Sequence, residues 1–170
     1  MNATTEPALR TWTVADIDTV RRIARETWKA TYGPFIPDAD LEGYLNTRYA
    51  VAALTENIRD PNIRGYLASS EGRDVGYMIV STPATEDRCY VSSVYVLPAC
   101  QGKGIGRALM GEARRYARDR GFDRIWLGVM TANSAARAWY ERNGFIFVEK
   151  APFTMGSTTI EHLIGYQKFT

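Results

Sequence analysis

Residues Pro98–Gly106, Pro-Ala-Cys-Gln-Gly-Lys-Gly-Ile-Gly, place three glycines at alternating positions between an apolar run, Val91–Leu97, and a helical pattern starting at Ile105. Few folds accept such a segment, because a strand must end, a loop must turn and a helix must begin within a few residues. Glycine lacks a Cβ, so its backbone can approach a ligand closely. The helix that follows presents unpaired N–H groups and the positive end of its dipole, a favourable place for an anion. Lys103 and Arg107 add formal charge beside it. The segment therefore predicts a diphosphate cradle. It is not a dinucleotide fingerprint, since G-x-G-x-x-G counted from Gly102 meets Arg107 where glycine or alanine is required. No G-x-x-x-x-G-K-[ST] phosphate loop can be aligned either. A bare turn would need one glycine rather than three.

The flanking pattern predicts an α/β chain. A strand fits Ala8–Thr13 and a helix Ala15–Ala30, with Thr13 and Asp16 as its capping box and Ile17, Val20, Ala24 and Trp28 as its apolar stripe. Tyr32–Pro37, with two prolines and a glycine, breaks that helix, and a helical stretch over Asp40–Asp60 follows, in one piece or two. Strands over Arg64–Ser69, Val75–Ser81 and Cys89–Leu97 come next, the first two joined by a short turn at Glu71–Asp74. The period then changes to 3.6, with Ile105, Leu109, Ala113, Tyr116 and Ala117 on one face, and Gly121 closes that helix. Ile125–Thr131 reads as a strand, Ser134–Arg142 as a short helix ended by Gly144, and Phe145–Lys150 and His162–Phe169 as the last strands. The strand–helix–strand unit in the middle predicts a right-handed crossover.

Composition narrows the function. With 170 residues, 45% hydrophobic and 24% charged, the chain is that of one globular domain. A net charge of +2 disfavours a dedicated nucleic-acid binder, and no apolar run approaches the length of a membrane span. The segment Met1–Glu6 carries no leader pattern, and two cysteines, Cys89 and Cys100, suit reduced thiols in a cytoplasmic protein. Charge is unevenly spread. Gln101–Arg124 holds seven Lys/Arg against three Asp/Glu, whereas Pro37–Asp60 holds two Arg against five Asp/Glu. One part suits an anion, the other a cation.

Gln101-x-x-Gly104-x-Gly106, preceded by Val94-Tyr95-Val96-Leu97-Pro98 and followed by Arg107-Ala108-Leu109-Met110, resembles the pyrophosphate loop of the GNAT N-acetyltransferases. Asn133–Phe145 resembles that family's second cofactor-facing helix, so the similarity spans about residues 75–150. The resemblance implies one domain over residues 1–170, with a mixed, mostly antiparallel central sheet of about six or seven strands flanked by about four helices. It implies acetyl-CoA as co-substrate and no metal. The backbones of Val94, Tyr95 and Val96 would meet the pantetheine arm, and Gln101, Gly102, Lys103, Gly104, Ile105, Gly106, Arg107 and Ala108 would surround the diphosphate. Asn133 and Ala136 would touch the pantetheine, and Tyr140 would stand near the sulfur. Asn133, Ala136 and Tyr140 are spaced to share one helix face.

Acyl transfer from a thioester to an amine needs a neutral amine, a polarised carbonyl and a proton for the departing thiolate. Tyr140, a phenol protonated at neutral pH, is the candidate acid, and a main-chain N–H such as that of Val96 the candidate polariser. Glu26, Asp38, Glu42, Glu86, Asp87 and Tyr90 all remain open as the base. Neither cysteine has a histidine neighbour in sequence, which favours direct attack over an acyl-enzyme, and the single His162 reads as a packed or exposed ring. Trp28–Leu45 resembles the bacterial spermine/spermidine acetyltransferase branch. Trp28 and Tyr32 offer aromatic faces and Asp38 and Glu42 counter-charges to an alkylammonium, although the same residues equally suit a core stripe and a helix cap. A small amine or polyamine is the expected acceptor. Acetylation of a protein N-terminus or lysine, and a non-catalytic acyl-CoA sensor, are the alternatives; a homodimer is compatible with each.

Overall fold

The structure, a computed structural model, describes residues 6–169, so most of the N-terminal segment inspected for a leader lies outside the described residues. Among these, seven strands form one sheet: β1 (Ala8–Thr11), β2 (Ile63–Ser70), β3 (Arg73–Ser81), β4 (Tyr90–Val96), β5 (Arg124–Met130), β6 (Ile146–Met155) and β7 (Thr158–Lys168). The helices are α1 (Ile17–Tyr32), α2 (Asp38–Arg48), α3 (Val51–Arg59), α4 (Ile105–Asp119) and α5 (Ser134–Arg142). Five helices rather than about four arise because the stretch expected over Asp40–Asp60 divides at Tyr49–Ala50. Strand order is β1-β2-β3-β4-β5-β7-β6, antiparallel throughout except for β4 beside β5.

Successive residues of a strand point to opposite faces, and the two faces feed two cores. Leu67, Tyr77, Ile79 and Met130 join α1, α2 and α3 through Ile23, Trp28, Leu41 and Leu54. Tyr66, Ala68, Met78, Val80, Ile125 and Leu127 pack with α4 through Ile105, Leu109, Ala113 and Ala117. The amphipathic stripes expected for α1 and α4 are the faces they bury.

The capping box is present at Val14–Asp16, a short 3₁₀ turn ahead of α1. The Asp16 carboxylate accepts from the Thr13 N–H at 2.8 Å and from two guanidinium nitrogens of Arg10. The Arg10 hydrogen bond, helped by Thr13, holds its pKa down at about 2. A depressed carboxylate contributes stability above its unfolded pKa near 4 and loses it as pH falls through the folded value. Asp16→Asn should therefore lower Tm by about 2–4 °C at pH 7, as for a cap worth ~1 kcal/mol. In a pH series of thermal melts that gap should close as pH approaches 2.

The last two strands run longer than the sequence pattern predicts, reaching Met155 and starting at Thr158. Pro152 lies within β6, an edge strand, where a missing N–H costs the ladder nothing. The turn at Gly156–Ser157 is held by Asp40 of α2, which accepts from the Ser157 N–H at 3.0 Å and the Thr158 hydroxyl at 2.6 Å.

Candidate active site

β4 and β5 meet at one pair, Tyr90 opposite Trp126, and then part. The opening between them is a cleft of about 790 Å³. Its walls are Val91–Val96 of β4 and Leu127, Gly128 and Val129 of β5, closed by Thr27 and Tyr32 of α1, the loop Pro98–Arg107, and Asn133, Ala136, Trp139, Tyr140 and Arg142 at α5.

A β-bulge prepares the β4 wall. Ile79 pairs with Ser93 and Val80 with Val91, leaving Ser92 unpaired. Below the bulge, the Cys89 carbonyl accepts from Trp126 of β5; above it, the Leu97 N–H donates to Val75 of β3. Both residues are odd-numbered, so the inserted residue has switched which backbone groups face which neighbour. The N–H and C=O groups of Val94 and Val96 therefore face the opening, and the Val96 carbonyl accepts from the Gln101 side chain at 3.1 Å.

At the mouth, Gly102 and Gly104 have φ of +76° and +80°, and Gly104 is the N-cap of α4. A Cβ on either would meet no protein atom within 4 Å, so the space above both is open. Gly106 differs, because a Cβ there would make an ordinary contact, 3.7 Å from the Trp139 ring of α5. Arg107 and Arg142 bring positive charge to the cleft. Asn133 caps α5 through its carbonyl oxygen, which accepts from the Ala136 N–H at 3.3 Å.

Tyr140 sits edge-on to Trp139 and Phe145, 5.2 and 5.4 Å between ring centres. Burial, reinforced by the nearby Tyr32, pushes its pKa well above the ordinary 10. Among the described residues its hydroxyl has no hydrogen-bond partner, although it lines the cleft. Opposite it, the buried Ser93 hydroxyl bonds Tyr49, which bonds Tyr77, and Tyr32 bonds Tyr95 at 2.8 Å. Burial raises the pKa of each of these phenols.

Of the residues singled out from sequence, Val94, Tyr95, Val96, Gln101, Gly102, Gly104, Ile105, Gly106, Arg107, Asn133, Ala136, Tyr140 and Tyr32 line this cleft. Lys103 and Ala108 flank it without lining it. Trp28, Asp38 and Glu42 are not brought there. Trp28 is 4% exposed, wedged among Tyr32, Tyr44 and Tyr95, and its indole N–H donates to Tyr77. Glu42 pairs with Arg25 and Lys29, and Asp38 lies at the surface, 3.9 Å from Lys29. Glu42 is thus neutralised by α1, and Asp40 is engaged by the hydrogen-bond donors of the β6–β7 turn. Glu26, Glu86, Asp87 and Tyr90 do not line the cleft either; Tyr90 donates to Glu86 at 2.7 Å. Sequence reasoning passed over Ser93, Gly128, Trp139 and Arg142. Gly128, inside an apolar strand, was the available signal, since an interior strand glycine often marks close approach of another group.

Cys89 is buried and Cys100, on the loop, partly exposed; both are free thiols. Among the described residues no three His, Cys, Asp or Glu side chains gather as metal ligands, and no helix is long and apolar enough to cross a membrane.

A family model described as Acetyltransferase (GNAT) family matches residues 18–145. The chain is 30% identical over 147 residues to the uncharacterized N-acetyltransferase YjgM of Escherichia coli, covering 85% of each chain. It is 26% identical over 141 residues to a spermidine N(1)-acetyltransferase of Thermoplasma acidophilum, covering 81% of this chain and 86% of the relative. Its fold superposes on the PaiA N-acetyltransferase of Thermoplasma acidophilum, solved in complex with coenzyme A, with a TM-score of 0.83 at 24% identity over 97% of this chain and 100% of the other.

Proposed function

The chain belongs to the GNAT acetyltransferase family, matched over residues 18–145, and from that premise we propose that it moves an acetyl group from acetyl-CoA directly to a primary amine of a small molecule, a polyamine above others. The observation that carries this reading is the cleft itself. One continuous opening joins the bare glycine entrance of α4, the free backbone edge of β4 and the unpartnered Tyr140 hydroxyl. A single domain over residues 1–170 is part of the proposal.

Acetyl-CoA supplies the acyl group and the thiol that leaves. The amides from Gly102 to Arg107, with the side chains of Arg107 and Arg142 nearby, suit its diphosphate, whereas that of Ala108 is already given to the Gly104 carbonyl. Val94 and Val96 would pair with the amides of the pantetheine arm as a strand would, and the amide nitrogen of Asn133, whose oxygen is occupied by the cap, can add a donor. The Val96 N–H is the candidate polariser of the thioester carbonyl. Tyr140, held protonated by its burial, gives its proton to the sulfur.

The polyamine preference is supported by the Thermoplasma acidophilum relative that acts on spermidine and not by Trp28, Asp38 or Glu42, which are occupied elsewhere. Thiol release from acetyl-CoA should be measured with spermidine, spermine, an aminoglycoside and peptides with free N-termini. The highest kcat/KM is expected for a polyamine. Turnover of peptides alone would replace the small-amine acceptor by a protein, and coenzyme A binding without turnover of any amine would leave a sensor.

A further inference from the structure

His162 is the chain's single histidine and has no part in the chemistry described so far. It stands on β7 between Met130 of β5 and Ala151 of β6. Its Nδ1 lies 2.7 Å from the Ala151 carbonyl oxygen. A carbonyl can only accept, so Nδ1 carries the hydrogen and, in the neutral ring, Nε2 is a bare lone pair. Among the described residues nothing donates to that lone pair. Phe153 of β6 stands edge-on at 5.6 Å, while the adjacent Glu161, on the opposite face of the strand, pairs with Lys150.

The ring leans over Gly128. A Cβ there would sit 2.7 Å from the imidazole Cδ2 and 3.2 Å from Nε2. Gly128 is the exposed residue between buried Leu127 and Val129 of β5, and it lines the cleft. Any side chain at this position would push the imidazole away. Ile125 and Leu127 point to the α4 core, so Gly128 and its partners point to the other face, with Met130. Tyr140 packs on the α4 side. The phenol thus lines the β4–β5 opening from one face of the sheet, while the imidazole, outside the lining itself, lies on the other face against Gly128, which does line it.

We propose that His162 is the general base for the acceptor amine, which enters from the face opposite Tyr140. The proposal rests on acetyl transfer to an amine. Nε2 takes one proton from the ammonium and later yields it to solvent. The freed nitrogen pair forms the C–N bond as the C–S bond breaks and its electron pair leaves on sulfur. The sulfur is protonated by Tyr140, and the second proton lost from nitrogen balances the one Tyr140 gave.

His162→Asn keeps a side-chain donor for Ala151 and removes the acceptor at the ε position. Its kcat/KM with spermidine at pH 7 should fall at least about tenfold, as for loss of a general base partly replaced by water. Its Tm and coenzyme A affinity should stay those of the parent, and added imidazole should restore part of the rate. A rate within twofold of the parent would overturn the proposal. A second measurement needs no variant. Because the chain has one histidine, its ¹⁵N-imidazole spectrum shows only the two nitrogens of His162, and spermidine added to the coenzyme A complex should move the Nε2 resonance. An unmoved resonance overturns the placement even if turnover is found. A parent protein that acetylates no amine refutes acetyl transfer itself, while a moved resonance would still place the amine at His162.

Discussion

Replacing Gly104 by valine should weaken coenzyme A binding at least about 100-fold, the equivalent of losing two charge-assisted hydrogen bonds to a diphosphate. Two effects coincide at this residue. Its φ of +80° is a region that a β-branched side chain enters only under strain, so valine would pull the α4 entrance away from its present path. Its Cβ would also project into space that no protein atom occupies and that the diphosphate needs. Gly72, in the β2–β3 turn, separates these from a general loss of stability. It shares the backbone strain, with φ +75° and an equally open Cβ position, but lies outside the cleft. Gly72→Val should lower Tm comparably and leave the affinity alone in calorimetric titrations. Equal affinity for both variants would put the diphosphate elsewhere.

Tyr140→Phe should lower kcat about 100-fold, the usual scale for a missing general acid, while the coenzyme A Kd stays within about twofold. Phenylalanine keeps the edge contacts with Trp139 and Phe145, so the variant removes one hydroxyl and little packing. Burial raises the pKa of Tyr140, which favours the protonated phenol, so its own titration should not limit the rate anywhere below pH 10. An unchanged kcat in single-turnover experiments would end its role as acid.

How much was legible in the sequence depended on distance along the chain. The unit from Val75 to Gly121 is written locally, as alternation, glycines and a 3.6 period, and the structure follows it to within a residue or two. Ser134–Arg142 was equally plain. The β6–β7 hairpin was not, because the carboxylate that holds its turn belongs to Asp40, 117 residues from Ser157. The acceptor side failed for the same reason. Trp28 gives its N–H to Tyr77, and Glu42 its charge to Arg25 and Lys29, so residues that look available are already engaged. Val91–Leu97 reads as an ordinary strand, with no glycine to mark the bulge at Ser92. His162 acquires meaning only through the register of β5, β7 and β6, which sets it over Gly128.

The bulge carries a consequence for how such a chain can change. Were Ser92 drawn into the ladder opposite Ile79, every later residue of β4 would slip by one place against β3. The carbonyls and amides of Val94 and Val96 would then turn inward to β3, leaving their former edge blank, and the side chains of that half of β4 would exchange faces. One unpaired residue is thus the difference between a strand edge spent on its neighbour and an edge left open to the cleft.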